Sequence, residues 1–177
     1  MRNLARLLAA FTAVMISSSV IAQSSTGRWE GRSPRFFSVP QTAWVKAEVL
    51  AADPVSQQAG EAINRQLRLR GYNQMPGGAY MVRLELHGRG LVTPVVPIPG
   101  YDSVTPRLGI WPEPEKADTV YLSLLVYHQS TGQVIWQGEA MCPGLSPDAN
   151  NVINAMIGPL LDQMGVNGKG RLDCRNL

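Results

Sequence analysis

The chain has 177 residues, with 16 Lys and Arg against 13 Asp and Glu, and a formal net charge of +3. This near balance argues against the concentrated basic surface with which proteins bind nucleic acids or anionic membranes. The length beyond the first 22 residues suits one ordinary domain with a hydrophobic core of its own.

Residues 1–22 have the layout of a secretory signal peptide. Arg2 and Arg6 give a positive start, an apolar run follows, and Val20 and Ala22 are small residues at the −3 and −1 positions of a cleavage site. The run is shorter than the roughly 20 residues that cross a bilayer as a helix. We therefore predict export to the periplasm, or secretion. Loss of Arg2 and Arg6 leaves 14 basic against 13 acidic residues, a net charge of +1.

Two cysteines, Cys142 and Cys174, follow the signal segment. An even number of cysteines in an exported chain favours a disulfide, which would tie the tail to the end of a predicted strand. Closing a loop of about thirty residues would stabilise the fold by roughly 3–4 kcal/mol. Two free thiols, or one buried and one exposed cysteine, are the alternative. Because no cysteine lies near residue 22, we expect no lipid anchor. We also expect no transmembrane span in the mature chain.

Residues 23–35 are polar and contain glycine, and we expect a flexible N-terminal segment there, followed by one domain at 36–177. Thr42 to Val49 alternate between apolar and polar residues, which predicts a half-buried strand. Asp53 precedes Pro54 as an N-cap precedes proline at the first helical position, and Gly71 supplies the stop of this first helix.

Alternation predicts three more strands, at Tyr80–His87, Val120–Val126 and Gln133–Met141. A turn that contains Gly132 joins the last two of these strands as a hairpin. The polar positions of the first of the three strands predict one face in contact with water. The order strand, helix, three strands, helix predicts an α+β two-layer sandwich. Its mainly antiparallel four-stranded sheet carries two helices on one face.

The last helix is predicted to begin at Ser146-Pro147 and to end at Gly165. Pro159 has no N–H for the helical ladder, which predicts a kink or break near Gly158. Trp136 lies on a central hairpin strand, and we expect it to be packed in the core.

The connection at 88–118 is long and rich in proline, with apolar residues between the prolines. Such a stiff, extended segment is typical of recognition strips. The alternatives are that it covers an edge strand or the open sheet face, or that it is disordered. If this connection and a sheet edge bind a partner, four residues are the candidates: Trp44, Tyr101, Ile110 and Trp111.

A hydrolase or metal-dependent enzyme would need His87 or His128 close to a carboxylate. Parity along the strands puts the two histidines on opposite faces, so we do not expect them to converge, and we expect no metal site and no cofactor. The carboxylates that approach the third strand, Glu113, Glu115 and Asp118, are more typical of a solvated charge run than of an acid–base site.

The hairpin at 119–140 and its segment Ile135-Trp136-Gln137-Gly138-Glu139-Ala140 resemble the bacterial envelope family called domain of unknown function 4136. The helix that ends in Leu69-Arg70-Gly71-Tyr72 before a strand is similar to that family's first half. The resemblance covers roughly residues 36–165. It implies an exported α+β envelope protein and no established activity. Many members carry a cysteine after the signal segment, and this chain has none there.

The sequence thus favours an exported, non-catalytic envelope protein of the periplasm that binds a protein, a peptide or a small apolar ligand. The alternative is a purely structural or stress-related envelope component. A hydrolase or metal-dependent enzyme is the less favoured third interpretation.

Overall fold

The computed structural model describes residues 26–33, 45–73, 79–94 and 118–175. The strands are β1 (Thr26–Arg32), β2 (Val45–Val49), β3 (Tyr80–Gly88), β4 (Leu91–Val92), β5 (Thr119–His128), β6 (Val134–Pro143) and β7 (Gly168–Asp173). The helices are α1 (Pro54–Leu69), α2 (Ala149–Val152) and α3 (Gly158–Asp162), with a π-helical turn (Ile153–Ile157) joining the last two. The fold is therefore α+β, with two helical units, as the sequence predicts.

The sheet is larger than predicted and is mixed. Six strands lie side by side in the order β2-β3-β5-β6-β1-β7, and the two-residue β4 pairs with β3. The pair β2–β3 is parallel, whereas the other pairs are antiparallel. The predicted four-stranded antiparallel sheet corresponds to β2, β3, β5 and β6, so it lacks the outer strands β1 and β7.

Both missed strands have sequences without a strand signature. Thr26–Arg32 lie in the segment expected to be flexible, and Gly168–Asp173 follow the last helix; each strand alternates glycine or one apolar residue with charged residues. Glycine and acidic residues are depleted in strands, so local preference gives no signal there. Pairing of β1 with β6 and with β7 supplies the hydrogen bonds that make both segments strands.

The predicted ends of α1 are confirmed. Asp53 is the N-cap, and its Oδ1 accepts a hydrogen bond from the Ser56 N–H at 2.8 Å, with Pro54 at the first position. Beyond the last turn, Gly71 takes a positive φ of 86°. Glycine adopts this left-handed conformation without steric cost, so the chain can leave the helix there.

The second helical unit, 149–162, is interrupted near Gly158, as predicted from Pro159. The Gly158 N–H donates to the Ile153 carbonyl, a π-type bond, so the ladder is rearranged just before the proline that cannot donate. The start differs from the prediction at Ser146-Pro147. Asp148 is the N-cap instead, and its Oδ1 accepts from the Asn151 N–H at 3.0 Å.

The hydrophobic core lies between both helical units and one face of the sheet, here called the helix face. Trp136 is fully buried in this core, as predicted, and its Nε1 donates to the Val166 carbonyl at 3.1 Å. The neighbouring Gly138 leaves room for the Trp136 ring, because a Cβ at that position would overlap the ring. The other large apolar side chains that are fully buried are Ile63, Leu67, Leu84, Leu86, Leu122, Leu124, Met156, Ile157, Leu160 and Leu161.

The opposite face of the sheet, here called the polar face, carries the alternate residues of the same strands. Its apolar part is a small cluster of Leu125, Tyr127 and Val134 with Met81 packed against it. The sequence predicts that this face is wet along β3. That prediction is wrong at Arg83, which is 2% exposed. The charge of Arg83 can be buried because an ion pair with Glu48 compensates it.

Candidate functional site

An open pocket of about 380 Å³ lies where the two ends of the proline-rich connection meet the sheet. It is formed by the turn between β3 and β4, the start of β5 and the segment between β6 and α2. Its lining residues are Arg89, Asp118, Thr119, Val120, Gly144, Leu145, Ser146 and Pro147. This volume lies within the range of about 300–1,000 Å³ that small-molecule sites occupy.

The pocket has a buried floor and a polar rim. Val120 and Leu145 are 2% and 4% exposed and supply apolar surface. Arg89 and Asp118 are exposed and bring opposite charges to the rim. No ion pair joins these two side chains in the described part of the chain. Such a pocket can bind an apolar group while charged rim groups orient its polar end.

The backbone around the pocket is held by hydrogen bonds. The Gly144 N–H donates to the Asp118 carbonyl at 2.6 Å, which closes the end of the β5–β6 ladder. On the far side, the backbone N–H of Asn151 lowers the pKa of Asp148, and the Ser146 side chain adds to this effect. These bonds fix the segment that carries Leu145 and Ser146.

A second polar constellation lies on the polar face of the sheet. Arg83 on β3 donates from Nε to Glu48 Oε2 on β2 at 2.7 Å, and Tyr127 on β5 donates its hydroxyl to the same oxygen at 2.8 Å. The Arg83 guanidinium lies 5.5 Å from the centre of the Tyr127 ring, within cation–π range. Burial first, and then the hydrogen bond to Glu48, raise the pKa of Tyr127 to about 12.

A buried carboxylate lies further along the same face. Glu139 on β6 is fully buried, and its Oε1 accepts from Gln137 Nε2 at 2.9 Å. It faces Ser123 on β5, which in turn faces Glu85 on β3. These three residues are register partners on neighbouring strands of the polar face. No group of His, Cys, Asp and Glu in the described ranges is arranged to hold a metal ion.

The predicted disulfide is confirmed. Cys142 at the end of β6 and Cys174 after β7 are bonded, with their Cα atoms 5.4 Å apart. The bridge passes over β1, which lies between these two strands in the sheet. Gly27 of β1 lies beneath it, and a Cβ there would overlap the Cys174 sulfur. The disulfide thus links the ends of β6 and β7 across β1, and this close approach explains the glycine in β1.

The two histidines are far apart, as expected. His128 pairs with Tyr80 and His87 with Tyr121, at opposite ends of the β3–β5 ladder. At about 3.3 Å per residue, their strand positions are separated by roughly 20 Å. His128 is engaged locally: its ring meets the Tyr80 ring edge-on at 5.2 Å, and its Nδ1 lies 3.1 Å from Ser130 Oγ.

The candidate binding residues from the sequence lie outside the described residues. These are Trp44, Tyr101, Ile110 and Trp111, and Glu113 and Glu115 lie outside them too. Of the acidic residues in question, Asp118 is described, and it lines the pocket. The signal segment 1–22 is likewise outside the described residues. Across the described ranges, no helix has the length and apolar character needed to cross a membrane.

Sequence reasoning missed Arg89, Leu145, the ion pair of the buried Arg83 with the half-buried Glu48, and the burial of Glu139. Arg89 lies next to glycine, which is typical of a turn. That Arg89 and Leu145 line the same pocket depends on the pairing of strands from distant parts of the chain. For Arg83 a weak signal existed. A charged residue within a strand as apolar as β3 requires a partner if its face is covered.

No family model matches the chain, and no curated protein matches it. It is similar to two solved structures of PelC dodecamers from Paraburkholderia phytofirmans. The first is 12% identical with a TM-score of 0.48, over 80% of this chain and 99% of that chain. The second, a single-substitution variant, is 10% identical with a TM-score of 0.45, again over 80% and 99%. At these values neither carries an argument about activity or assembly, and the resemblance to domain of unknown function 4136 stays a prediction.

Proposed function

We propose that the chain is an exported, non-catalytic binding protein of the bacterial envelope, and that its ligand site is the pocket at the base of the proline-rich connection. The observation that carries the proposal is the pocket itself: a buried apolar floor at Val120 and Leu145 beneath a rim with the opposite charges of Arg89 and Asp118. The bonded cysteines support an oxidising compartment such as the periplasm.

The rim chemistry favours a short peptide or a protein terminus over a purely apolar ligand. A guanidinium such as that of Arg89 binds carboxylates in a bidentate manner. Asp118 accepts hydrogen bonds from an amine or amide, and the buried floor takes one aliphatic side chain. Arg89 and Asp118 lie near the two ends of the proline-rich connection in the sequence and both line the pocket, so we include the connection in the proposed binding surface.

Binding of short peptides to the purified mature chain tests this proposal. The probes are dipeptides with a blocked amino end and a free carboxy-terminal leucine, followed by chemical-shift changes in NMR spectra. We expect changes at Val120 and Leu145, and we expect Arg89→Gln to weaken binding by about tenfold, because a hydrogen bond to a charged group is lost. Arg65→Gln, on the exposed side of α1, is the matched control and should bind as the parent does.

A second variant tests the connection. Deletion of residues 94–112 should abolish capture of the ligand and leave the circular-dichroism spectrum of the described strands and helices unchanged. Equal binding by the deletion, by Arg89→Gln and by the parent would refute the proposal. That result would favour a structural or stress-related envelope component.

A further inference from the structure

The outer strand β7 (Gly168–Asp173) forms one edge of the sheet. It pairs with β1 on its inner side, and within the described ranges no strand pairs with its outer side. Lys169, Arg171 and Asp173 are exposed and point to the polar face. On the helix face, the Trp29 ring lies against Gly168 and Gly170. The outer row of backbone N–H and C=O groups therefore belongs to a strand with two glycines and the buried Leu172 on one face and charged residues on the other.

Two like charges lie directly opposite each other at this edge. Arg28 of β1 is the register partner of Arg171 of β7, and both are exposed. Lys169 lies diagonally from Arg28 on the same face. Like charges at directly opposed positions destabilise an antiparallel pair. The arrangement therefore favours an anionic group beside Arg28 and Arg171, which no ion pair of the described residues supplies.

Among the described residues, two acidic side chains close to this edge are already engaged. Glu30, opposite Lys169, forms an ion pair with Arg32 at 3.1 Å. Asp173 accepts from Arg175 Nε at 2.9 Å. Arg28 contacts the Met141 sulfur at 3.1 Å. Among the ion pairs of the described residues, none includes Arg28, Lys169 or Arg171.

We propose that this cationic edge, consisting of Arg28, Lys169 and Arg171, binds an extended acidic segment of a partner protein, which adds to β7 as a further strand. Alternate side chains of such a segment point to one face, so its carboxylates meet Arg171 and Lys169 while its backbone bonds to β7. Carboxylates placed there relieve the repulsion between Arg28 and Arg171. A second copy of β7 would instead add like charges, which disfavours self-pairing. The surface shares no residue with the pocket.

The proposal is tested with a short fluorescent peptide of alternating glutamate and threonine residues, whose binding to the purified chain is followed by fluorescence anisotropy. We expect Arg171→Gln and Lys169→Gln each to weaken binding by about tenfold, since a charge-assisted hydrogen bond is lost. Arg65→Gln, which removes an exposed cation from α1, should leave binding unchanged. A peptide with lysine in place of glutamate should not bind.

Two further measurements separate strand addition from general attraction between charges. The acidic peptide with N-methyl groups on alternate backbone amides should lose binding, because it can no longer donate to β7. Arg171→Glu should abolish binding and also raise the midpoint of thermal unfolding, because it converts the like-charge pair with Arg28 into an ion pair. Unchanged binding by Arg171→Gln, or equal binding of the N-methylated and parent peptides, would overturn the proposal.

Discussion

Removal of the Glu48 charge should destabilise the fold more than removal of its partner's charge. In Glu48→Gln the guanidinium of Arg83, whose side chain is 3% exposed, keeps its charge and loses its carboxylate at 2.7 Å. Breaking a buried pair in this way costs about 3–5 kcal/mol. Because the Glu48 side chain is 26% exposed and water can reach that side, we expect about 2–3 kcal/mol here.

Arg83→Met should cost less, about 1–2 kcal/mol, since Glu48 keeps the Tyr127 hydroxyl at 2.8 Å and gains water. This value includes the cation–π contact of Arg83 with the Tyr127 ring. In the double variant Glu48→Gln/Arg83→Met no buried charge is left alone. Its cost should therefore fall below the sum of the two single costs by about 1–2 kcal/mol.

Urea unfolding, followed by far-ultraviolet circular dichroism, measures all three free energies. The pair of Glu30 and Arg32 offers a control, because the Arg32 side chain is 67% exposed and stays hydrated without its carboxylate, so Glu30→Gln should cost less than about 1 kcal/mol. The reasoning is refuted if Glu48→Gln costs no more than this control, or if the two single costs simply add. Either result would mean that water, not Glu48, compensates the Arg83 charge.

Three further predictions concern titration, the disulfide and close packing. The folded-state pKa of Tyr127, about 12, lies above its ordinary value of 10.0, so its contribution to stability is fully present below pH 10 and is lost as the pH rises toward 12. The free energy of unfolding, measured across this range, should show the loss, and Tyr127→Phe should abolish this pH dependence. Replacing both bridged cysteines, 32 positions apart, by alanine should cost about 3–4 kcal/mol, and added reductant should then have no effect; a change below about 1 kcal/mol would contradict the loop-closure account. Gly138→Ala should cost about 1–3 kcal/mol and alter the Trp136 fluorescence, whereas Gly158→Ala, which meets only an ordinary contact, should do neither.

The central elements were predictable because local signals agreed with the fold. Asp53-Pro54 and Gly71 marked the ends of α1, alternation marked β3 and β5, and Gly132, with a positive φ of 66°, marked the turn before β6. Pro159 marked the interruption of the second helical unit. In each case the signal is local: either one residue type imposes a backbone requirement, or apolar and polar residues alternate along a strand.

The outer strands and the buried charges depend on contacts between distant parts of the chain. Gly27 in β1 suits its position because a disulfide passes over it, and no local pattern reveals this. The buried state of Arg83 depends on Glu48, 35 residues earlier, and on Tyr127 across the next strand. The pocket likewise combines Arg89 with Leu145, so its residues could not be identified from their spacing. For these features the sequence indicates residue types, while the topology decides their partners.

Site-specific crosslinking in living cells tests the proposed binding function most directly. A photoreactive amino acid replaces Ser146 in the rim of the pocket, and in a second variant it replaces the exposed Asn154 of the π-helical turn. The account predicts one recurrent crosslinked partner from position 146 that is absent from position 154 and is lost when Arg89→Gln is added. The same products from both positions, or a product from position 146 that survives Arg89→Gln, would contradict it.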